Sequence, residues 1–563
     1  MATVEVTPRA CPEPRGLALV QLALVEQQQL VEPRQLTAVE QFAACQPRKT
    51  DERLYSALLP AAPPKPGEQY AFEVDLDLCS GCKACVTACH SLNGLDEEET
   101  WRDVGLLHGG TTALPLVQHV TTACHHCLEP ACLNACPVNA YEKEPVTGIV
   151  RHLDDQCFGC QYCTLACPYD VPKYNPAKGI VRKCDMCSQR LAVGEAPACV
   201  QSCPHQAISI RVVSRQQVEQ DCEAGTFLPG APDPQLTHPT THYKSSQPLP
   251  RNTLPADCYA VRPGHGHPPL VVMLVLTQLS VGAFLVELLL RSQVAGVGAL
   301  PPGVERLHGL TALVFGLLAL AASTLHLGRP QYAFRAVLGL THSWLSREIV
   351  AFGLFALLAG VHALLPGSAV LGWSVVASGA LGVFCSVMIY HSTRRPFWRL
   401  TTAGLKFLLT TLMLGLTTAM LTSLLAAVWL DSLSAGEVMT RYGTLLCQAL
   451  MVTTAAKLSL ELSIFAHLLS KHATPLKRTA MLMTGDLLGP TGQRFVAGAF
   501  GGLILPAWLL SANSAASGGT FGDGFLAAVV LGIFVATLAG ELFERHLFFV
   551  AAVAPRMPGG LTT

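Results

Sequence analysis

Sixteen of the chain's 22 cysteines lie between Cys79 and Cys203, in four groups of four. The first group, Cys79, Cys82, Cys85 and Cys89, has the spacing C-x2-C-x2-C-x3-C. The second, Cys124, Cys127, Cys132 and Cys136, runs C-x2-C-x4-C-x3-C and is followed by Pro137. The third, Cys157, Cys160, Cys163 and Cys167, repeats the spacing of the first and is followed by Pro168. The fourth, Cys184, Cys187, Cys199 and Cys203, runs C-x2-C-x11-C-x3-C and is followed by Pro204. Thiolates are soft ligands, suited to iron or zinc and not to hard cations. Disulfides do not suit the pattern, because three cysteines within seven residues cannot easily pair locally. Zinc favours paired C-x2-C knuckles, whereas three of these groups end in C-x3-C-P.

A [4Fe-4S] cube presents four irons, and each needs one thiolate. A C-x2-C-x2-C loop wraps three corners. The fourth cysteine sits too far along the chain to reach the same cube, so it ligates a neighbouring cluster. That exchange binds clusters in pairs at short separation, which is the geometry of an electron wire. Sixteen cysteines at four per cube predict four [4Fe-4S] clusters. The first and third groups have the bacterial ferredoxin spacing, except that His90 stands where a proline would follow Cys89. The remaining cysteines, Cys11, Cys45, Cys222, Cys258, Cys385 and Cys447, have no such spacing and read as small apolar fillers.

The elements that must hold these groups belong to a chain of 563 residues that is 50% hydrophobic and only 14% charged. Soluble domains carry about 25% charged residues, so an ordinary soluble enzyme and a disordered chain are both excluded. A net charge of -1 offers no basic field, and no nucleic-acid partner is expected. Residues 1–68 read as an N-terminal helical extension and linker. Its helical pattern runs from Leu17 to Ala44, breaks near Pro33, and gives way to Pro60, Pro63, Pro64 and Pro66. Met1 to Arg15 shows neither a basic-then-apolar export signal nor a twin arginine. Residues 69–213 are the cysteine module, with strand-like runs at Tyr70–Val74 and Ile149–Arg151. Residues 214–268 are a wrap or linker whose His238, His242, His265 and His267 read as solvated. Residues 269–550 are apolar in blocks, and 551–563 form a C-terminal tail.

A bilayer span needs about 20 apolar residues. Eight blocks qualify: 270–290, 307–325, 349–365, 370–390, 407–430, 445–469, 495–511 and 525–543. Lys and Arg gather after the even-numbered spans. Arg329, Arg335 and Arg347 follow the second, Arg394, Arg395, Arg399 and Lys406 the fourth, and Lys471, Lys477, Arg478 and Arg494 the sixth. Arg545 and Arg556 lie in the tail, while the opposite loops hold Arg291, Arg306 and Arg441. The positive-inside rule puts both termini and the cysteine module on the cytoplasmic face of the bacterial inner membrane. The same loops face the cysteine module, so their charge also suits docking it. Three charged pairs stand at i, i+4 within or beside spans: Glu287–Arg291, Lys457–Glu461 and Glu541–Arg545. The first and last lie at span ends and read as snorkelling. Lys457 and Glu461 lie mid-span, as an ion pair between helices or part of a proton path.

His326 and Glu348 bracket the first basic loop on the module's side. A quinol gives up two electrons and two protons, and His and Glu are suitable acceptors beside a cluster. Arg329 and Arg347 are placed to orient the ring oxygen or to hold the loop.

Residues 69–245 resemble the iron–sulfur electron-transfer subunit of the dimethyl sulfoxide reductase family of molybdoenzymes. The run Cys124-His125-His126-Cys127-Leu128-Glu129-Pro130-Ala131-Cys132 carries that likeness. Residues 270–550 resemble the same family's membrane anchor, on His326-Leu327-Gly328-Arg329-Pro330, Ser346-Arg347-Glu348-Ile349 and Gly540-Glu541-Leu542. Fusion of the two departs from the family's usual separate chains, and 1–68 has no counterpart. The expected fold is an α+β ferredoxin-like multi-cluster iron–sulfur domain followed by an all-α polytopic membrane domain of about eight transmembrane helices. The resemblance implies ligand sets in which Cys79, Cys82 and Cys85 share a cluster with Cys203, and Cys184, Cys187 and Cys199 take Cys89. Cys124, Cys127 and Cys132 then take Cys167, while Cys157, Cys160 and Cys163 take Cys136. The last of these clusters is expected nearest the membrane, and the first nearest the catalytic subunit. The resemblance further implies a menaquinol site at His326 and Glu348, no haem, and a separate bis-pterin molybdenum subunit that reduces an S- or N-oxide-type acceptor. The protein itself then supplies the quinol half-reaction and the wire, between the quinone pool of the bilayer and that partner. Two other readings stand beside this one: reverse flow from a substrate-oxidising molybdoenzyme to quinone, and an ion-translocating quinone-coupled module.

Overall fold

Near-alternation of buried and part-buried side chains along Glu68–Asp75 (β1) marks a strand packed chiefly on one face and gives the cysteine module its first sheet. The computed structural model describes residues 57–97, 99–292, 302–365, 367–430, 435–472, 474–515 and 523–559. The expected helices between Leu17 and Ala44, with Cys11 and Cys45, lie outside these. The module's further strands are Asp103–Gly110 (β2), Pro115–Thr122 (β3), Tyr141–Lys143 (β4), Val150–His152 (β5), Lys173–Asn175 (β6), Ile180–Arg182 (β7), Ile208–Ser214 (β8), His242–Lys244 (β9) and Leu254–Pro255 (β10). They pair as β8-β1-β9, β10-β2-β3, β4-β5 and β6-β7. β1 runs antiparallel to β8, with Glu73 opposite Ser209, and parallel to β9.

The centre of the module is an internal repeat. The five-residue helices Ala131–Ala135 and Tyr162–Ala166 each lead into Cys-Pro and then into a small hairpin, β4-β5 or β6-β7. Residues 214–268 wrap back onto it. Leu128 and Glu129 donate to the carbonyls of His238 and Thr237, and Thr240 bonds the carbonyl of His125.

Eight helices are long and apolar enough to cross a membrane: Pro268–Arg291, Gly303–Thr324, Trp344–Leu364, Ala369–His391, Leu400–Val428, Met439–Leu469, Leu488–Ala512 and Gly524–Val550. The third begins at Trp344 and not at 349, because Ser346, Arg347 and Glu348 fold into its first turns. Glu348 is therefore a buried side chain of the helix and not a loop residue. Gly282 and Gly415 let the first and fifth spans touch backbone to backbone, since a Cβ on Gly282 would lie 1.9 Å from the Thr411 carbonyl oxygen.

The loops after the second and fourth spans and the C-terminal tail all dock the cysteine module. Arg329 donates to the carbonyls of Asp154 at 3.0 Å and Lys178 at 3.3 Å, and Arg335 to that of Asp155 at 3.1 Å. Arg395 reaches the Leu165 carbonyl at 3.2 Å, and Arg556 pairs with Asp257. At the centre of the docking, Gly159, Gly179 and Gly328 meet with no room for side chains. A Cβ on Gly328 would lie 2.1 Å from the Gly179 carbonyl oxygen. Gly328→Val is expected to weaken this contact by about 1–3 kcal/mol or more. The readout is easier proteolytic release of residues 69–213 from the membrane helices in mild detergent.

Candidate functional site

The structure gathers the cysteines into four quartets, each drawn from two sequence groups. Cys79, Cys82, Cys85 and Cys203, the first quartet, line one cavity. Cys89 faces Cys187 and Cys199, and Cys184 faces Cys89 and Cys199, which makes the second. Cys124, Cys127, Cys132 and Cys167, the third, line another cavity, and Cys136, Cys157, Cys160 and Cys163, the fourth, line one more.

Shared short helices set the order of the quartets. Cys85 and Cys89 lie on the helix Ala84–Leu92, which joins the first quartet to the second. Cys132 and Cys136 sit in or at the end of one five-residue helix, and Cys163 and Cys167 in or at the end of its twin, so the third and fourth are joined twice.

Local backbone geometry explains how so few residues wrap so much. Gly81 and Lys83 flank Cys82 in the left-handed region, and Gly159 and Gln161 flank Cys160 in the same way. His126 and Met186, just before Cys127 and Cys187, repeat the turn. Such conformations cost non-glycine residues about 1–2 kcal/mol each and persist where surrounding structure holds them. They turn amides toward sulfur: Gly159 N–H donates to Cys157 Sγ at 3.4 Å and Met186 N–H to Cys184 Sγ at 3.4 Å. After each Cys-Pro, the third residue from the cysteine is also left-handed, at Asn139, Asp170 and Gln206. The next amide then bonds back, Ala140 to Cys136 Sγ at 3.2 Å and Ala207 to Cys203 Sγ at 3.3 Å. Cys89 lacks the proline, so its helix runs on to Leu92 and Asn93 Nδ2 donates to Cys89 Sγ instead, at 3.6 Å.

This donor set fits [4Fe-4S] clusters: four thiols per quartet, amide donors to sulfur and an apolar shell. Burial pushes the Cys89 thiol up to about 12 and the Cys167 thiol up to about 11. Thiolates at such depth need a cationic partner, which iron supplies.

The fourth quartet is the one against the membrane helices. Arg329 N–H donates to the Phe158 carbonyl at 3.0 Å, and His342 Nε2 lies 3.0 Å from the Cys136 carbonyl oxygen. Tyr162, beside Cys163, bonds Ser392 Oγ at 2.7 Å. His326 faces the backbone of Cys160, and burial pushes its imidazole down to about 4, which leaves it neutral. Glu348 accepts from Ser386 Oγ and faces the Tyr162 hydroxyl. Two protonatable side chains, one from the turn after the second span and one from the third span, thus lie on the membrane side of the fourth quartet. Arg329 is engaged with the cysteine module, and Arg347 with its own loop, donating to Leu340 at 3.1 Å and Thr341 at 2.7 Å. Arg347 also stacks 4.4 Å over Trp344.

His267 corrects the reading of the linker histidines as solvated. It is buried, its ring centroid is 5.1 Å from that of His326, and the His265 ring lies tilted against it at 4.4 Å. Packing of the linker under the last helix brings it there, with Phe549 5.5 Å away. The local sequence holds no sign of this beyond the histidine itself. Tyr162 was legible in principle, since it stands inside the C-x2-C-x2-C run.

The spans hold a buried ion network larger than the i, i+4 pairs predict. Glu461 is paired bidentately with Arg494, at 2.8 and 2.9 Å, and only 3.9 Å from Lys457. Lys457 bonds Glu541, whose other oxygen stands 3.0 Å from Arg494 Nη1 as an ion pair. Glu544 stands 3.5 Å from Lys406 and 3.4 Å from Arg545, which reaches Gln278 at 3.2 Å. Glu541 and Arg545 are fully buried and do not snorkel, and Lys406 and Arg494 belong to this network instead of the loops. Glu287 is buried as well, 3.5 Å from His362 and 3.7 Å from Arg291. The physical reason is that a helix end inside a bundle has no water to reach, so its charges turn to other helices.

Residues 116–213 match a family model described as a 4Fe-4S dicluster domain, and residues 262–474 one described as the DMSO reductase anchor subunit (DmsC). The sequence is 36% identical over 178 residues to the probable anaerobic dimethyl sulfoxide reductase subunit YnfG of Escherichia coli (strain K12), covering 30% of this protein and 82% of that one. It is 39% identical over 152 residues to the B subunit of the anaerobic dimethyl sulfoxide reductase of the same strain, 25% of this protein and 72% of that one. It is 35% identical over 155 residues to the thiosulfate reductase electron transfer subunit PhsB of Salmonella typhi, 27% of this protein and 80% of that one.

Proposed function

The protein belongs to the dimethyl sulfoxide reductase family of iron–sulfur electron-transfer subunits, with a DmsC-type anchor on the same polypeptide, and on that premise we propose that it oxidises menaquinol at His326 and Glu348 and delivers the electrons through four [4Fe-4S] clusters to a molybdopterin catalytic subunit. As a multi-pass membrane protein it works beside an oxidoreductase catalytic partner. The observation that carries the reading is that His326 faces the Cys160 backbone while Glu348, buried on the third span beside Ser386, faces Tyr162 of the same cysteine run.

Quinol oxidation releases two electrons and two protons. Glu348, buried and held by Ser386, is oriented to take one proton, and the neutral imidazole of His326 the other. Arg329 and Arg347 keep the loop between them in place. When bound, the clusters supply one-electron steps from the fourth quartet to the first. Cys82 is exposed, so the first quartet opens on the surface where a partner docks.

Metal analysis of the complex from native membranes tests the assignment. We expect roughly sixteen irons per polypeptide beyond the partner's own, at four irons per quartet, with one molybdenum or tungsten. Iron with neither metal overturns the molybdopterin partner. We place the cluster domain on the cytoplasmic face of the inner membrane, supported by Arg347 and Lys477, whose charges lie on that side while bonding only within their own loops. Protease removal of residues 69–213 from intact spheroplasts refutes it.

A further inference from the structure

Two cations are buried between the quartets. Arg102 is 2% exposed and Lys183 3% exposed. Buried cations ordinarily pair with carboxylates, because removal from water is costly without a counter-charge. The acidic groups that face these two are thiols, beside carbonyls of Val150 and Cys184 at Lys183 and the Phe72 ring at Arg102. Arg102 Nη1 donates to Thr121 Oγ1 at 3.1 Å, and that hydroxyl lies 3.5 Å from Cys85 Sγ of the first quartet. The same guanidinium faces Cys199 of the second quartet. Its Nε and Nη2 have no protein partner among the described residues, although both are buried. Lys183 Nζ lies 3.6 Å from Cys124 Sγ of the third quartet and donates at 2.8 Å to the carbonyl of Cys184, a ligand of the second. Each cation therefore stands at a junction, Arg102 between the first and second quartets and Lys183 between the second and third.

We propose that Arg102 and Lys183 are fixed junction charges that raise the reduction potentials of the first three clusters above that of the fourth, and so draw electrons away from the membrane. This rests on the four-cluster reading given above. A positive charge beside a cluster stabilises the added electron, and a low-dielectric interior strengthens the effect. Other charges nearby do not reproduce this placement. Lys143 bonds the Cys127 carbonyl at 3.0 Å, adding to the third quartet. Asp185 faces Cys184 and Cys187, and Arg190 faces Cys187, so these oppose each other at the second. The fourth quartet is faced by Tyr141 and by His152, which is itself bonded to Asp154 at 2.8 Å.

The test is an EPR-monitored redox titration of the whole complex. Four one-electron [4Fe-4S] signals in the unaltered protein establish the reading on which the proposal rests; fewer signals overturn that reading by themselves. Arg102→Met is then expected to lower two potentials, and Lys183→Met two, with one cluster common to both. Each shift should be at least tenfold in the reduced-to-oxidised ratio, about 59 mV for one electron. Arg102→Lys should restore most of it. Unshifted potentials with four assembled clusters overturn the proposal, as does an Arg102→Lys protein that shifts as far as Arg102→Met. Should Arg102→Met lose iron, Arg102→Gln keeps a donor for Thr121, and the Lys183 pair of variants, Met and Arg, decides independently.

Discussion

On the proposed reading, Glu348→Gln is expected to lower menaquinol oxidation by about 100-fold or more, the usual scale of a lost acid–base group, and to leave iron content unchanged. The substitution is close to isosteric. The amide oxygen still accepts the hydrogen bond from Ser386, so the third span keeps its contact with the fourth. What disappears is the capacity to take a proton beside the Cys157–Cys163 loop. The effect is expected to be sharpest under single turnover, read as reduction of the proposed fourth cluster by menaquinol. Reduction by dithionite, which needs no proton acceptor, should proceed as in the unaltered protein. Loss of iron assigns Glu348 a structural role, and an unaltered quinol rate removes it from the site.

Arg494→Met produces the largest loss of stability, about 3–5 kcal/mol, because it leaves buried charges without their partner. Arg494 is 1% exposed and serves two carboxylates, Glu461 through two hydrogen bonds and Glu541 as an ion pair at 3.0 Å. These residues lie on the sixth, seventh and eighth spans, so the guanidinium ties three helices together. The measurement is the thermal unfolding midpoint of the complex in mild detergent. Neutralising a true pair should cost less than breaking it. Lys457→Met combined with Glu541→Gln is thus expected to be milder than Glu541→Gln alone. The pair suggested by spacing, Lys457 with Glu461, lacks this property, since Glu461 belongs to Arg494. A proton path through the network predicts instead that the double variant uncouples ion movement while electron transfer survives.

The cysteine quartets show how far spacing reaches. Ligand type follows from the thiols, and cluster chemistry from runs too short for disulfides. The pairing of groups came with family resemblance, and the structure brings together the same four sets. Even the exception at Cys89 was visible, as a histidine in place of proline, although its consequence, the longer helix and the Asn93 bond, was not. The eight apolar blocks were likewise legible because length and hydropathy are additive along the sequence. Their ends were not, since polar residues such as Ser346 and Arg347 extend a helix once neighbouring segments hold them.

By itself, the sequence determined the metal chemistry, the number of spans and the union of a relay with an anchor, because each depends on residues close together along the backbone. Tertiary structure alone decided that the Cys157–Cys163 loop rests on Gly328, that His267 packs on His326, and that Glu461 belongs to Arg494. It also decided that Arg102 and Lys183 stand between the quartets. Most of these partners are tens to hundreds of residues apart, and a buried charge or ring selects its neighbour by the geometry of packing, which no local spacing encodes.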